Sequence, residues 1–235
     1  MKEHFSEQQE HWTKHFEGYD VFQEAYPSYV RMMEAHVDAL SDCQLILDSG
    51  AGTGNLTVRL LKSGRDVIAV DSNKDALKYL YDKCSNVDVL GTLETKQLDL
   101  SKPLPFADDI FDGIVSSLVI PFVSPHKEYF SENFRVLKPG GLFSISAAVP
   151  KEGAMDALMQ DIGIKATESG ILPEHKDVFN RMWETSRQNE KTILQNGLIA
   201  DELVAMLEEV GFTDVTVSKE QPYDGYVVWI TANKP

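Results

Sequence analysis

The 235-residue sequence has few cysteines, an excess of acidic over basic residues, and no long apolar run. Cys43 and Cys84 stand far apart without C-x-x-C spacing, which predicts buried, reduced thiols. No apolar stretch approaches the roughly 18 residues of a membrane span. With 22 basic and 37 acidic residues the net charge is -15, and such a surface repels phosphate backbones. We therefore expect neither a membrane protein nor a nucleic-acid enzyme.

The first residues, "MKEHFSEQQEHW", are polar and acidic, unlike a signal or transit peptide. The expected location is therefore the cytoplasm. The length suits one large α/β domain with an insertion, and it requires no second full domain.

Short apolar strands alternate with helical patterns through most of the chain. The successive strand candidates are "QLIL", "DVIAV", "ETKQLDL", "FDGIVSS" and "GLFSISAAV", and two more, "FTDVTVSK" and "GYVVWITA", close the sequence. This alternation predicts right-handed βαβ units and a parallel sheet with helices on both faces. Residues 150–197 break the rhythm with two amphipathic helices, which predicts a helical insertion on the substrate side. Residues 1–43 are predicted to form an N-terminal helical cap or lid, and residues 44–235 the main domain.

A glycine-rich turn follows the first strand. Gly50, Gly52 and Gly54 alternate with small residues, so the backbone there can approach a ligand closely, at the start of a helix. Dinucleotides and S-adenosylmethionine are both bound by such turns. The dinucleotide fingerprint is G-x-G-x-x-G, whereas the spacing here is G-x-G-x-G.

Three aspartates stand at or beside the ends of the first three strands: Asp48, Asp71 and Asp99. Ligands of open α/β sheets bind outside those carboxyl ends. Asp71 is placed to accept hydrogen bonds from a ribose, and Asp99 to accept the amine of an adenine. Three carboxylates without a nearby Arg or Lys favour a cationic sulfonium over a pyrophosphate, and hence S-adenosylmethionine over a dinucleotide.

The order of these motifs resembles that of the class I S-adenosylmethionine-dependent methyltransferases of the small-molecule type, which includes the ubiquinone and menaquinone biosynthesis enzymes. The matching segments are "LILDSGAGTGNL", "VIAVDSN", "QLDL", "LPFADDIFDGIVSS" and "RVLKPGGLFSIS". The resemblance implies a Rossmann-like seven-stranded, mostly parallel sheet with an antiparallel last strand. It also implies helices on both faces, an N-terminal helical cap and a helical insertion after strand five.

Carried over to this sequence, the resemblance implies a cofactor site for S-adenosylmethionine. The glycine motif would line the methionine portion, Asp71 and Ser72 would hold the ribose, and Asp99 would frame the adenine. The implied cofactor-binding set is Asp48, Gly50, Ala51, Gly52, Gly54, Asp71, Ser72, Leu98, Asp99, Leu100, Ser116 and Ser117, with Tyr19 or Tyr26 over the cofactor. The alternative is that Asp71 or Asp99 merely caps a following helix.

The sequence contains few candidates for a catalytic base. His126, His175 and Tyr19 are the candidates, and a surface or packing role is the alternative for each. His11 and His15 lie one helical turn apart, with His4 nearby, but a solvated helix face explains them better than a metal site. The strand-five end, "SAAVP", lacks the acidic residues and Asn that hold Mg²⁺ in catechol-type enzymes, so we expect metal-independent transfer.

The predicted reaction is methyl transfer from S-adenosylmethionine to an O, N or C atom of a small organic molecule, mainly by proximity and orientation. The open alternatives are a cofactor-binding protein without transfer activity and a methyltransferase acting on a protein or peptide. We expect a monomer or homodimer.

Overall fold

The computed structural model describes residue 16, residues 19–219 and residues 222–235. One seven-stranded sheet runs through it, in the order β3-β2-β1-β4-β5-β7-β6. The strands are β1 (Leu45–Ser49), β2 (Asp66–Asp71), β3 (Leu93–Gln97), β4 (Phe111–Ser117), β5 (Leu137–Ala148), β6 (Thr213–Val217) and β7 (Val227–Asn233). Strand β7 runs antiparallel to both of its neighbours, β5 and β6, and the other four pairings in this sheet are parallel. The predicted sheet architecture is therefore confirmed.

Seven α-helices with both ends described accompany the sheet. They are α1 (Pro27–Ala39), α2 (Asn55–Lys62), α3 (Lys74–Ser85), α4 (His126–Val136), α5 (Ala154–Glu168), α6 (Lys176–Asn196) and α7 (Ala200–Val210). Residues 19–24, which we call the N-terminal segment, are also helical, and a short 3-10 turn spans Ile120–Phe122. Helices α5 and α6 follow β5, where the insertion was predicted. The domain bounds of 1–43, 44–235 and 150–197 stay predictions.

Strand alternation divides the core between the two faces of the sheet. Ile46 belongs to a cluster with α1, α2, α5 and α6, whereas the next residue, Leu47, belongs to a cluster with α4 and α7. Successive strand side chains point to opposite faces, so one short apolar strand serves both clusters. Cys43 and Cys84 are buried and free, as predicted.

Strand β5 begins earlier than its apolar pattern indicates. The predicted strand opens at Gly141, but the observed one opens at Leu137, which pairs with Phe111. The pairing register then shifts before Leu142 pairs with Gly113. Gly140 has φ +79°, a left-handed conformation that glycine adopts without steric cost, so the "KPGG" turn forms an irregularity inside the strand.

Candidate functional site

The carboxyl edge of the sheet opens into a cavity of about 600 Å³. Asp48 near the end of β1, Asp71 at the end of β2 and Asp99 after β3 all line it, together with Gly50, Ala51, Gly52, Ser72, Leu100 and Ser117. Because β1 and β4 are adjacent while β2 and β3 lie to one side, this edge is a topological switch point, where open α/β sheets bind their ligands.

The glycine turn contributes backbone to the cavity wall. Gly52 has φ +53°, and a Cβ built on it would meet no atom within 4 Å, so its side-chain position faces open space. Gly54 is placed differently: a Cβ there would lie 2.4 Å from Leu80 Cγ. Gly54 therefore permits close packing of the turn against α3, and it is not part of the cavity lining.

Asp71 joins the end of β2 to the glycine turn. Its Oδ2 accepts a hydrogen bond from the Gly52 amide at 2.9 Å, and its Oδ1 accepts one from the Asn73 amide at 2.8 Å. Burial raises the pKa of Asp71, while these backbone bonds oppose the rise. The bond to Asn73 resembles a cap, but the bond to Gly52 also fixes the turn beside the cavity.

Asp48 is only 2% exposed, and its Oδ2 accepts a hydrogen bond from Thr57 Oγ1 at 2.5 Å. Burial raises its pKa to about 7, although the bond from Thr57 opposes the rise. The carboxyl group therefore titrates near neutral pH. A cation placed in the cavity would favour its ionised form.

Asp99 is exposed, and its Oδ1 accepts hydrogen bonds from both the amide and the hydroxyl of Ser101, at 2.9 and 2.5 Å. Leu100, beside it, is 8% exposed and lines the cavity. Leu98 is absent from the lining and packs against the core cluster under α4 and α7. Asp99 and Leu100 thus line the cavity, whereas Leu98 packs into the core.

Another part of the cavity wall comes from the start of the described chain. Phe16, Tyr19, Tyr29 and Met33 line it, and the rings of Tyr19 and Tyr29 meet edge to face at 6.5 Å. Burial raises the pKa of both tyrosines, so their hydroxyls stay protonated at neutral pH. Tyr26 is not in the lining.

Tyr26 instead donates a hydrogen bond from its hydroxyl to Asp224 Oδ2 at 2.6 Å. It is buried away from the cavity because the loop before β7 packs against α1 at this point. The resemblance implied that Tyr19 or Tyr26 lies over the cofactor, and of the two only Tyr19 lines the cavity.

The residues after β4 complete the wall. Ser117, Leu118, Val119, Phe122, Val123 and Ser124 all line it. Leu118 has φ +62°, a strained conformation for a leucine, of the kind that concentrates at functional sites. Ser116 points elsewhere: it is fully buried and accepts a hydrogen bond from the Tyr129 hydroxyl at 2.8 Å.

The two histidine candidates lie outside the cavity lining. His126 Nε2 is 3.1 Å from the Ile120 carbonyl oxygen, and the His175 ring packs edge to face against Phe22 at 6.4 Å. Both serve local packing, so neither faces the cavity as a base would. His4, His11 and His15 lie outside the described residues. Within those residues, no group of three or more His, Cys, Asp or Glu side chains is placed to hold a metal.

The sequence patterns did not indicate several residues that line the cavity. Thr53 and Asn55 flank Gly54 and are 5% and 7% exposed, while Asn73 caps α3 by accepting bonds from the Asp75 and Ala76 amides. Their positions in the sequence, beside the glycine turn and close to Asp71, could have indicated that they line the cavity. Phe122 and Val123 carry no such signal, because the loop after β4 has no periodic pattern.

Comparison with known proteins agrees with this geometry. The family model described as a methyltransferase domain matches residues 47–145. A ubiquinone/menaquinone biosynthesis C-methyltransferase of Klebsiella pneumoniae is 30% identical over 191 residues, covering 78% of this chain and 74% of the relative. The chain belongs to the S-adenosylmethionine-dependent methyltransferases.

Solved structures of such methyltransferases share the fold. One from Thermotoga maritima, described as a possible histamine N-methyltransferase, has a TM-score of 0.61 at 17% identity and covers 96% of this chain and 99% of its own. A putative methyltransferase from Methanococcus maripaludis has a TM-score of 0.60 at 20% identity, with 92% and 88% covered.

The methyltransferase cavity fits its cofactor. The open side-chain position at Gly52 leaves room for a ligand at the glycine turn. Asp48, Asp71 and Asp99 lie at or just after the carboxyl ends of β1, β2 and β3, and a nucleoside and an amino-acid chain can extend across these three ends. No described lining residue is Lys, Arg or His, so the wall suits a sulfonium cation. None of the described helices has the length and apolar character needed to cross a membrane.

Proposed function

We propose that this enzyme methylates a small, largely apolar organic acceptor that carries no negative charge. The observation that supports it most directly is the composition of the described cavity wall, which contains three aspartates and no basic residue. A phosphate or carboxylate on the acceptor would find no basic side chain in this wall to pair with, and burial of an unpaired charge is strongly unfavourable.

In the proposed arrangement, Asp71 holds the ribose, and Asp99 and Leu100 hold the adenine. Asp48 and the backbone of Gly50, Ala51 and Gly52 hold the methionine portion. When bound, S-adenosylmethionine supplies an electrophilic methyl group on a good leaving group. The strand order supports this direction, since β2 and β3 lie on one side of β1, while β4 lies on the other.

The acceptor then lies toward β4 and the N-terminal segment. Phe16, Tyr19, Tyr29, Met33 and Phe122 supply apolar and aromatic surface there. Aromatic and Met side chains form walls suited to small apolar molecules, and aromatic faces also attract organic cations. Both uncharged and cationic acceptors are therefore compatible with this wall.

Orientation is the main contribution that the residues of the wall make to the rate. Holding the acceptor in line with the methyl group and excluding water can lower the barrier by about 7–11 kcal/mol. The Tyr19 and Tyr29 hydroxyls remain protonated at neutral pH, so they can donate hydrogen bonds to an acceptor oxygen or nitrogen but do not act as bases there. Metal-independent transfer stays a prediction.

The proposal is tested with matched acceptor pairs. Release of S-adenosylhomocysteine is measured with phenols, amines and thiols, each beside its carboxylated counterpart, for example 2-naphthol beside 6-hydroxy-2-naphthoate. We expect kcat/KM to favour the uncharged or cationic member by about tenfold or more, equivalent to about 1.4 kcal/mol. Preference for the carboxylated members would contradict the proposal, as would transfer to peptides alone.

A further inference from the structure

The N-terminal segment is connected to the cavity through the carboxylate of Asp20. Its Oδ1 accepts a hydrogen bond from Thr53 Oγ1 at 2.8 Å, and its Oδ2 lies 2.5 Å from Lys83 Nζ. Thr53 belongs to the glycine turn and lines the cavity, whereas Lys83 lies in the last turn of α3. One carboxylate thus joins three separate parts of the chain.

Lys83 makes a second contact that leads back to the cavity. Its Nζ donates a hydrogen bond to Asn55 Oδ1 at 2.7 Å, and Asn55 Nδ2 donates one to the Tyr29 hydroxyl at 3.0 Å. Asn55 and Tyr29 both line the cavity, but Lys83 does not. Lys83 therefore acts on the lining only through other residues.

The Lys83–Asp20 ion pair is unusually sheltered for this protein. Its side chains are 20% and 14% exposed, whereas those of Lys78 and Asp82, also on α3, are 74% and 56% exposed. Solvent and salt weaken exposed pairs most, so the sheltered pair is the stronger restraint. A second pair, between Arg59 and Glu24, fastens the other end of the N-terminal segment and is 22% and 39% exposed.

We infer that Lys83 is a positioning residue for the cofactor: its ion pair with Asp20 holds the N-terminal segment against the glycine turn and slows cofactor release. This inference rests on the proposed function, because it takes the cofactor to lie against Gly52 and Thr53. Tyr19, next to Asp20, lines the cavity, so displacement of this segment opens the wall on that side.

The experiment measures how fast bound S-adenosylhomocysteine leaves the protein. Radiolabelled S-adenosylhomocysteine is chased with an excess of the unlabelled compound, for wild type, Lys83→Met, Asp20→Asn and Lys83→Arg. Asn at position 20 can still accept the Thr53 bond through Oδ1, but its Nδ2 replaces the oxygen that faces Lys83, so that variant removes the ion pair and keeps the Thr53 contact. Lys78→Met, on the same helix, removes an exposed ion pair and is the matched control.

We expect Lys83→Met and Asp20→Asn each to speed release by about tenfold, as loss of one such pair predicts. The double variant should release no faster than the faster single one, and Lys83→Arg should restore slow release. Because the pair is sheltered, sodium chloride should change release from wild type only slightly. Slow release retained in Lys83→Arg but lost in Lys83→Met is the readout that a loss of general stability would not reproduce.

Two other results would overturn the inference. Release from Lys83→Met and Asp20→Asn at the rate of the Lys78→Met control would refute it alone and leave the proposed function intact. If Lys83→Met does not fold, Asp20→Asn carries the same test. Failure of the folded wild type to bind S-adenosylhomocysteine would refute the proposed cofactor arrangement and this inference together.

Discussion

Asp71 links the glycine turn to the sheet, because its carboxylate accepts hydrogen bonds from the Gly52 and Asn73 amides. A carboxylate already aligned by backbone donors needs no rearrangement to accept further bonds from a ribose. Removing the Asp71 carboxylate should therefore both lose the proposed ribose contact and loosen the glycine turn.

We predict that Asp71→Ala weakens S-adenosylmethionine binding by about tenfold to 150-fold, since a charge-assisted hydrogen bond contributes about 1.5–3 kcal/mol. Calorimetric titration measures the dissociation constant. Asp88→Ala removes an exposed carboxylate outside the cavity lining and is the control. Unchanged affinity in a folded Asp71→Ala protein would show that Asp71 does not hold the cofactor.

The individual elements differ in how well the sequence predicts them. Strands β1, β2 and β4 are short apolar runs bounded by acids or glycines, so their positions follow from local pattern. The positions of the turn at Gly50–Gly54 and of the acids at 48, 71 and 99 are predictable for the same reason, because they lie at the ends of predicted strands. The exact start of β5 does not, because it depends on pairing of Leu137 with Phe111 across the sheet.

The cavity wall toward β4 was the least predictable part of the site. Tyr19 and Tyr26 look alike in sequence, yet only tertiary contacts decide that Tyr19 lines the cavity while Tyr26 bonds to Asp224. Lys83 carries no local signal, since its role depends on residues that are 63 and 28 positions away along the chain. The periodicity of apolar residues does not predict contacts between residues so far apart in the sequence.

Helix α1 is fixed to the sheet through a buried histidine. His36 is fully buried, its Nδ1 lies 2.8 Å from Ser144 Oγ, and its Nε2 has no hydrogen-bond partner within the described part of the chain. Burial lowers its pKa to about 3. In the unfolded chain a histidine titrates near pH 6.5, so below that pH the unfolded state gains a proton that the folded state does not.

Stability should consequently fall as the pH drops from 6.5 towards 3. Between pH 7 and pH 5 we expect wild type to lose about 2 kcal/mol more of its unfolding free energy than His36→Gln loses. Denaturant unfolding at each pH measures this difference. Ser144→Ala keeps the imidazole and should retain the pH-dependent loss, although it lowers stability throughout. Equal losses in wild type and His36→Gln would refute the assignment.

At the scale of the whole molecule, the net charge of -15 sets the field that a ligand meets before it binds. S-adenosylmethionine carries one positive charge more than S-adenosylhomocysteine, and the two are otherwise nearly the same size. A negative field attracts the cation, and salt screens that attraction over about 10 Å at 0.1 M.

The association rate constant of S-adenosylmethionine should therefore fall several-fold as sodium chloride rises from about 20 to 500 mM, where the screening length shortens. That of S-adenosylhomocysteine should change much less. Stopped-flow mixing measures both rate constants, and S-adenosylhomocysteine, whose sulfur is uncharged, is the internal control. Equal salt dependence for the two would mean that the acidic surface does not steer the cofactor.

The two groups of residues that line the cavity, the acids with the glycine turn and the aromatic and Met residues, come from different parts of the sequence and can be varied separately. The acids and the glycine turn lie at or just after the carboxyl ends of β1 to β3, whereas Phe16 and Met33 precede β1 and Phe122 follows β4. In the proposed arrangement, a library that varies only those three aromatic and Met positions should change which acceptors fit while leaving the proposed cofactor contacts unaltered. Asp20 should be held constant in such a library, because it joins the two halves.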